Sequence, residues 1–302
     1  MFIFANYMLF NCIMKRTWIL EEEDFVTFIF DLLILTFIQL ISLFGILIVV
    51  GFLINIIERQ STKFIYKSFG LRGLLFTSWI GTPIHELGHY LMCKIFNHQV
   101  IAVQWFPKDQ HTDVLGFVEH RYNSRSLYQR IGVFFISIGP LFSGLLALSL
   151  LLYVLLPNSF NTFVHFTKSI QPTSLTPDNI ALILTASFEM ISTIFTLDNV
   201  TTIGFWIFLL LAACICTHIS LSPADLRGAL SGFMTIAITL FIVNWIAIFI
   251  GFNTSTFIAM LATYNAYLIG WMGFVLCMSI ITLVITFIIS FITRRKFLRI
   301  SA

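Results

Sequence analysis

The sequence contains few charged residues. Asp, Glu, Lys and Arg make up 10% of its 302 positions, whereas 58% are hydrophobic. A soluble globular domain carries about 25% charged residues, so this composition excludes a soluble globule and predicts a polytopic membrane protein in contact with the lipid bilayer. The 17 Lys and Arg against 14 Asp and Glu leave a net charge of only +3. We therefore expect no nucleic-acid partner.

Cysteine is also scarce and follows no pattern. The five cysteines lie in or beside apolar segments without paired spacing, at Cys12, Cys93, Cys214, Cys216 and Cys277. This arrangement excludes a disulfide framework and a cysteine-based zinc module. The chain has no repeat at a fixed period either, which excludes a solenoid.

Long apolar stretches are abundant. A helix needs about 20 residues to cross a hydrocarbon core of about 30 Å, and six segments meet this length: 32–56, 71–95, 131–156, 203–221, 229–252 and 265–293. The predicted fold is thus an all-α polytopic membrane protein with about six transmembrane helices. Only the second segment carries charged side chains, which are Arg72, Glu86 and Lys94.

The distribution of Lys and Arg predicts the orientation. With six spans, both termini share one side with the 96–130 loop, and most of the basic residues lie there. The positive-inside rule then predicts cytoplasmic termini, and we expect a multi-pass protein of the plasma membrane. The basic loop from Arg59 to Arg72 lies on the opposite side, so the orientation of the first span stays open. The apolar stretch Met1 to Phe10 precedes the first basic residues, unlike a cleavable signal, and we expect it to stay attached.

Two segments outside the spans have recognisable patterns. Val100 to Phe106 and Val114 to Glu119 are β-prone runs around a polar turn at 107–113, which predicts a small cytoplasmic-side β-hairpin after the second span. Residues 180–196 place apolar side chains at helical spacing opposite a polar face, which predicts an interfacial helix. If that helix crossed the membrane instead, every later loop would change sides.

The second span contains the motif His85-Glu86-Leu87-Gly88-His89. Residues four apart on a helix lie on one face, about 6 Å apart along the axis, so two imidazoles can bind one zinc ion while Glu86 reaches its water. Ionisable groups are costly in hydrocarbon unless they have partners and water. A metal ion is such a partner, and we interpret the motif as a catalytic zinc site rather than as polar contacts between helices.

A catalytic zinc ion needs a third protein ligand. Asp225 is the candidate, because it lies between the fourth and fifth predicted spans on the side that the His85 helix approaches. Its alternative roles are to cap the fifth helix or to pair with Arg227. His218 is a candidate for a ligand, for a group that orients a ligand or for a substrate contact, although a packing histidine is the simpler interpretation.

At these residues the sequence resembles the site-2 protease family of intramembrane zinc metalloproteases. The resemblance covers roughly residues 75 to 230: the zinc motif, Gly139-Pro140 early in the next span, and a Pro-containing segment with Asp225. Ser143 stands where the family commonly has Asn near its substrate. The resemblance implies Zn²⁺ held by His85, His89 and Asp225, with Glu86 as the catalytic base.

The resemblance also implies an organisation and a substrate. It divides the chain into residues 1–70 with the first span, a metalloprotease core at 71–228, and residues 229–302 with two spans and a basic tail. The expected reaction is hydrolysis of peptide bonds in or near a transmembrane segment of another membrane protein, which must unwind locally. The first alternative is a non-catalytic polytopic protein, either a pseudoprotease or a transporter-like bundle. The second is a peptidase for soluble substrates, with Glu189 as third ligand.

Overall fold

The computed structural model describes residues 22–106, 115–169, 189, 191–263 and 265–300. The described chain is mostly helical and has one antiparallel two-stranded sheet. Its elements, in chain order, are α1 (Glu22–Ile95), β1 (Gln99–Gln104), β2 (Phe117–Arg121), α2 (Leu127–Ser137), α3 (Gly139–Leu155), α4 (Pro157–Ser169), α5 (Leu197–Val200), α6 (Ile203–Cys216), α7 (Pro223–Phe249), α8 (Thr254–Thr263) and α9 (Asn265–Ile300).

Helix α1 is interrupted at Gly70. This residue has φ 63° and ψ −153°, a conformation that residues with a Cβ rarely adopt and that glycine tolerates. The interruption divides α1 into a first arm, residues 22–69, and a second arm, residues 71–95. The second arm carries the zinc motif, and it contains Pro83 just before the motif.

Three helices are long and apolar enough to cross a membrane, which indicates a membrane protein: Phe25–Ile95, Pro223–Phe249 and Gly270–Thr293. Helices α2 and α3 add a fourth if they count as one span, although they are bent by 52° at Ile138. Helix α6 has 14 residues and is only about 21 Å long, too short for the span predicted at 203–221. The predicted number of six spans is therefore not confirmed.

The predicted β-hairpin is confirmed. Strand β1 pairs antiparallel with β2, with Gln99 opposite Arg121 and Gln104 opposite Phe117. The second strand begins at Phe117 rather than at Val114. The predicted turn at 107–113, the segment Met1 to Phe10 and most of the predicted interfacial helix at 180–196 lie outside the described residues.

The apolar core lies between the first arm, α3, α6 and α9. Its fully buried side chains include Leu148, Leu152, Phe208 and Phe274. The second arm crosses α3 where two glycines meet: a Cβ built on Gly139 would lie 2.6 Å from the carbonyl oxygen of Gly88. The two backbones therefore approach each other at a distance that only glycine allows, and this crossing fixes the zinc motif against α3.

We expect Gly139→Ala to destabilise the protein, because the new methyl group would meet the main chain of Gly88. Overpacking of this kind costs about 1–3 kcal/mol, which thermal unfolding in detergent would detect as a lower Tm. Gly45→Ala is the matched control, since its Cβ would meet only the Ile41 side chain at 3.3 Å. Equal Tm values for the two variants would contradict the close crossing.

Two histidines connect the hairpin to the helix that follows it. The Nε2 atom of His98 lies 2.9 Å from the carbonyl oxygen of Gln129, and its Nδ1 atom lies 3.0 Å from Nδ1 of His120. Because a carbonyl only accepts, His98 donates from Nε2 and accepts at Nδ1 from His120. Both rings are neutral in this arrangement. Burial lowers the pKa of His120 to about 4, with a further contribution from His98, and burial also lowers the pKa of His98.

The lowered pKa values predict a pH-dependent hairpin. The unfolded chain binds protons on these rings more readily than the folded chain, so their contribution to stability is complete above pH 6.5, the ordinary value, and is lost as the pH falls toward 4. Hydrogen exchange of the strand amides, corrected for intrinsic rates, should show this loss. His120→Phe should reduce the pH dependence, whereas His165→Phe, at an exposed position, should preserve it. An unchanged pH dependence in His120→Phe would contradict the assignment.

Candidate metal centre

The two motif histidines bring their rings together on one face of the second arm. The Nε2 atoms of His85 and His89 lie 3.1 Å apart, and their side chains are 15% and 10% exposed. The four-residue spacing on a helix produces this proximity. The rings are thus nearly enclosed, with their Nε2 atoms at a common point.

Main-chain carbonyls fix the orientation of both rings. His85 Nδ1 lies 2.7 Å from the carbonyl oxygen of His218, and His89 Nδ1 lies 2.8 Å from that of Ile136. Since carbonyl oxygens only accept, each neutral ring carries its hydrogen on Nδ1 and leaves a lone pair on Nε2. Two lone pairs therefore face each other at 3.1 Å, an arrangement that requires a cation between them or a proton on one ring.

Pro140 makes the carbonyl of Ile136 available to His89. In a continuous helix that carbonyl would accept from the N–H four residues later, but residue 140 is a proline and has no N–H. The helix bends at this point, between α2 and α3. The Gly139-Pro140 pair thus has two functions: the glycine permits the close crossing, and the proline frees an acceptor for a histidine of the motif.

Asp225 completes the group. Its Oδ1 lies 3.3 Å from His89 Nε2 and its Oδ2 lies 3.8 Å from His85 Nε2. Asp225 also caps α7: the N–H of Ser222 donates to Oδ2 at 2.8 Å, and the N–H of Asp225 donates to the Ser222 hydroxyl at 3.1 Å. The helix cap that the sequence offered as an alternative role is therefore present, and it leaves the carboxylate beside the two imidazoles. Among the described residues, Asp225 makes no ion pair with Arg227.

The donor set fits a divalent metal ion. Ligand atoms of His85, His89 and Asp225 lie within 4.8 Å of one another. A tetrahedral zinc site with ligand distances of about 2.0–2.1 Å places neighbouring ligand atoms about 3.3 Å apart, close to the 3.1, 3.3 and 3.8 Å found here. Two neutral imidazoles and one carboxylate, with a fourth position free, also match the ligand chemistry of catalytic zinc.

The other predicted residues occupy different positions. Glu86 is 5% exposed and lines a polar cavity of about 260 Å³ together with His85. The ring of His218 is hydrogen-bonded to Thr77 at 3.0 Å, so it is the main chain of this residue that orients His85. The hydroxyl of Ser143 donates to the Pro140 carbonyl at 3.2 Å, and Ser143 lies outside the ligand group. Glu189 is exposed and outside the group as well.

Several residues of the site were not predicted from the sequence. Glu58, Thr82, Gly116 and Ser220 line the same cavity, and Ile136 contributes its carbonyl. Glu58 offered a signal, because it is an acidic residue at the end of an apolar run. The others are common residue types whose contribution depends on tertiary contacts.

Comparisons with protein-family models, curated proteins and solved structures return no match. The resemblance to site-2 proteases therefore depends on the zinc motif, the Gly-Pro pair and Asp225. The geometry of these residues carries the functional argument.

Asp225→Ala should lower the zinc content of the purified protein well below one ion per chain, because it removes the only carboxylate among the three ligands. Metal analysis after dialysis against a weak chelator would measure this. Glu189→Ala is the control and should retain zinc, since its side chain is exposed. The opposite result, with zinc lost only in Glu189→Ala, would support the alternative ligand set.

Ser222→Ala would separate the two roles of Asp225. It removes the hydroxyl that caps α7 but keeps the carboxylate. Loss of an N-cap costs about 0.5–2 kcal/mol, so this variant should unfold at a lower temperature and still bind zinc.

Proposed function

We propose that this protein is an intramembrane zinc metalloprotease that hydrolyses peptide bonds in or near transmembrane segments of membrane proteins. The convergence of His85, His89 and Asp225 carries the proposal. These ligands come from two distant parts of the chain, and the described structure turns their lone pairs toward one point. Such a convergence of acceptors is stabilised by a cation between them or by a proton on one ring, and a divalent cation fits all three.

The residues around His85, His89 and Asp225 support a hydrolytic mechanism. Glu86 follows His85 in the motif and lines the same cavity. In the proposed reaction it takes a proton from the water that attacks the scissile carbonyl and returns it to the leaving amine. A bound zinc ion supplies the Lewis acidity that activates this water and polarises the carbonyl. Gly116 lies directly against Glu86, because a Cβ at this position would be 3.0 Å from Glu86 Cγ, so the segment before β2 limits the space over the base.

An apolar cleft beside the site supports access from the membrane. The cleft of about 310 Å³ lies between the first arm and α7, and its lining includes Asn55, Leu221 and Leu226. The last two residues are close to Asp225 in the sequence. A substrate helix in lipid could approach along this cleft and then unwind, because the internal hydrogen bonds of a helix hide its carbonyls.

The proposed membrane arrangement follows from the distribution of charges. It has six crossings, cytoplasmic termini in the plasma membrane and the β-hairpin on the cytoplasmic side. In this arrangement the two arms of α1 count as two crossings, α7 and α9 as one each, and α6 and the bent pair α2–α3 as one each. The substrate would then be cut near the cytoplasmic face.

Glu86→Gln tests the proposal. The substitution keeps the shape of the side chain and removes its basicity, so cleavage of a co-expressed single-span substrate should fall by about 10²- to 10⁴-fold. Zinc content should stay unchanged, because Glu86 is not a ligand. Glu189→Gln makes the same chemical change at an exposed position and should cleave normally. Unchanged biological activity in Glu86→Gln would favour a non-catalytic membrane protein.

A further inference from the structure

The polar cavity beside the histidines extends beyond the zinc motif to the first arm of α1. Its lining includes Glu58 of the first arm, Thr82 of the second arm and Ser220 of the α6–α7 loop. Glu58 stands twelve residues before Gly70, and Thr82 stands twelve residues after it. Because α1 is interrupted at Gly70, its two arms place both side chains in the lining of one cavity, beside the candidate metal ligands.

Glu58 and Thr82 both have unused hydrogen-bonding capacity. Glu58 Oε2 accepts from the Ser220 hydroxyl at 2.6 Å, and Oε1 accepts from the Thr62 hydroxyl only at 3.3 Å. A carboxylate accepts about four hydrogen bonds. The Thr82 hydroxyl is buried, since this residue is 4% exposed, and it has no hydrogen-bond partner. A buried hydroxyl without a partner is costly, and Thr82 also lines the cavity.

The charges of the cavity indicate which kind of ligand it fits. Glu58 and Glu86 line the cavity, and Asp225 lies next to it. None of the described lining residues is Lys or Arg, and no Lys or Arg in the described structure forms an ion pair with Glu58. With both imidazoles neutral and all three carboxyl groups ionised, one divalent ion leaves one negative charge. An unbalanced charge in a low-dielectric site is unfavourable, and one cationic side chain would neutralise it.

We propose that Glu58, with Thr82, forms a subsite that binds a Lys or Arg side chain of the substrate beside the scissile bond. The basic side chain donates to the Glu58 carboxylate, and Thr82 lines the same subsite. This inference rests on the proposed protease, because the substrate backbone must lie at the zinc centre for its side chain to reach Glu58. The subsite adds a preference for a basic residue beside the cleaved bond, which the zinc motif alone does not imply.

Two matched probes test the subsite without requiring cleavage. Lysine hydroxamate and norleucine hydroxamate share the metal-binding group and differ in the terminal ammonium. Their Kd values would be measured by calorimetry on the zinc-loaded full-length chain in detergent. We expect the lysine probe to bind roughly tenfold more tightly, as a hydrogen bond to a charged group allows. Glu58→Gln should reduce this ratio to about one, and Glu189→Gln should retain it.

Glu58→Gln distinguishes a role of Glu58 in binding a basic side chain from a role in holding the α6–α7 loop. Glu58→Gln keeps an oxygen that accepts from Ser220, so the fold and the zinc content should persist, and both are measured. If Glu58 served only to hold the α6–α7 loop, the substitution would weaken both probes equally and the ratio would not change. That result, or equal binding of the two probes by the wild-type protein, would overturn the subsite.

A cleavage assay distinguishes failure of the subsite from failure of the proposed function. The protein should cut a single-span substrate with Lys beside the cleaved bond faster than the same substrate with Met there, and Glu58→Gln should remove the difference. Cleavage without this preference would overturn the subsite and leave the protease intact. A purified chain that binds neither zinc nor either hydroxamate would overturn both.

Discussion

The site depends on the hydrogen bonds from two histidine Nδ1 atoms to main-chain carbonyls. Because His85 donates to His218 and His89 donates to Ile136, both Nε2 lone pairs point to one place. A neutral imidazole has one nitrogen that carries a hydrogen and one that carries a lone pair. When Nδ1 carries the hydrogen and donates to a carbonyl, the lone pair must lie on Nε2. The metal-binding capacity of the motif is therefore determined by two peptide groups that lie far from it in the sequence.

These hydrogen bonds also explain why the helices are interrupted where they are. A carbonyl without a partner costs several kcal/mol in hydrocarbon, and both acceptors lack helical partners: Ile136 because Pro140 has no N–H, and His218 because α6 has already ended at Cys216. The histidines satisfy the carbonyls, and the carbonyls orient the histidines. The hydrogen bond from His89 therefore stabilises the bend at Ile138, and the bend in turn provides the carbonyl that orients His89.

Local patterns predicted one part of this structure and missed another. The hairpin and the proximity of Asp225 to His85 and His89 were foreseen, because helical spacing, a Pro-containing cap and β-prone runs are properties of short segments. The number of spans was not, since an apolar window detects neither the bend at Ile138 nor the end of α6 at Cys216. Glu58 and the Ile136 carbonyl were missed for a related reason, because their contribution arises from the fold-back at Gly70 and from the missing N–H of Pro140.

Hydrogen bonds across the fold extend the site into the first arm, which the sequence assigned to a separate N-terminal segment. Asn55 donates to the Leu221 carbonyl at 3.1 Å, and Ser220 donates to Glu58 at 2.6 Å. These bonds hold the α6–α7 loop, which ends at the Ser222 cap and so directs the Asp225 carboxylate toward the histidines. A loop free to move would lose entropy when its carboxylate bound a metal. The first arm reduces that loss in advance, so the preorganised unit is the proposed metalloprotease core together with residues 55–58.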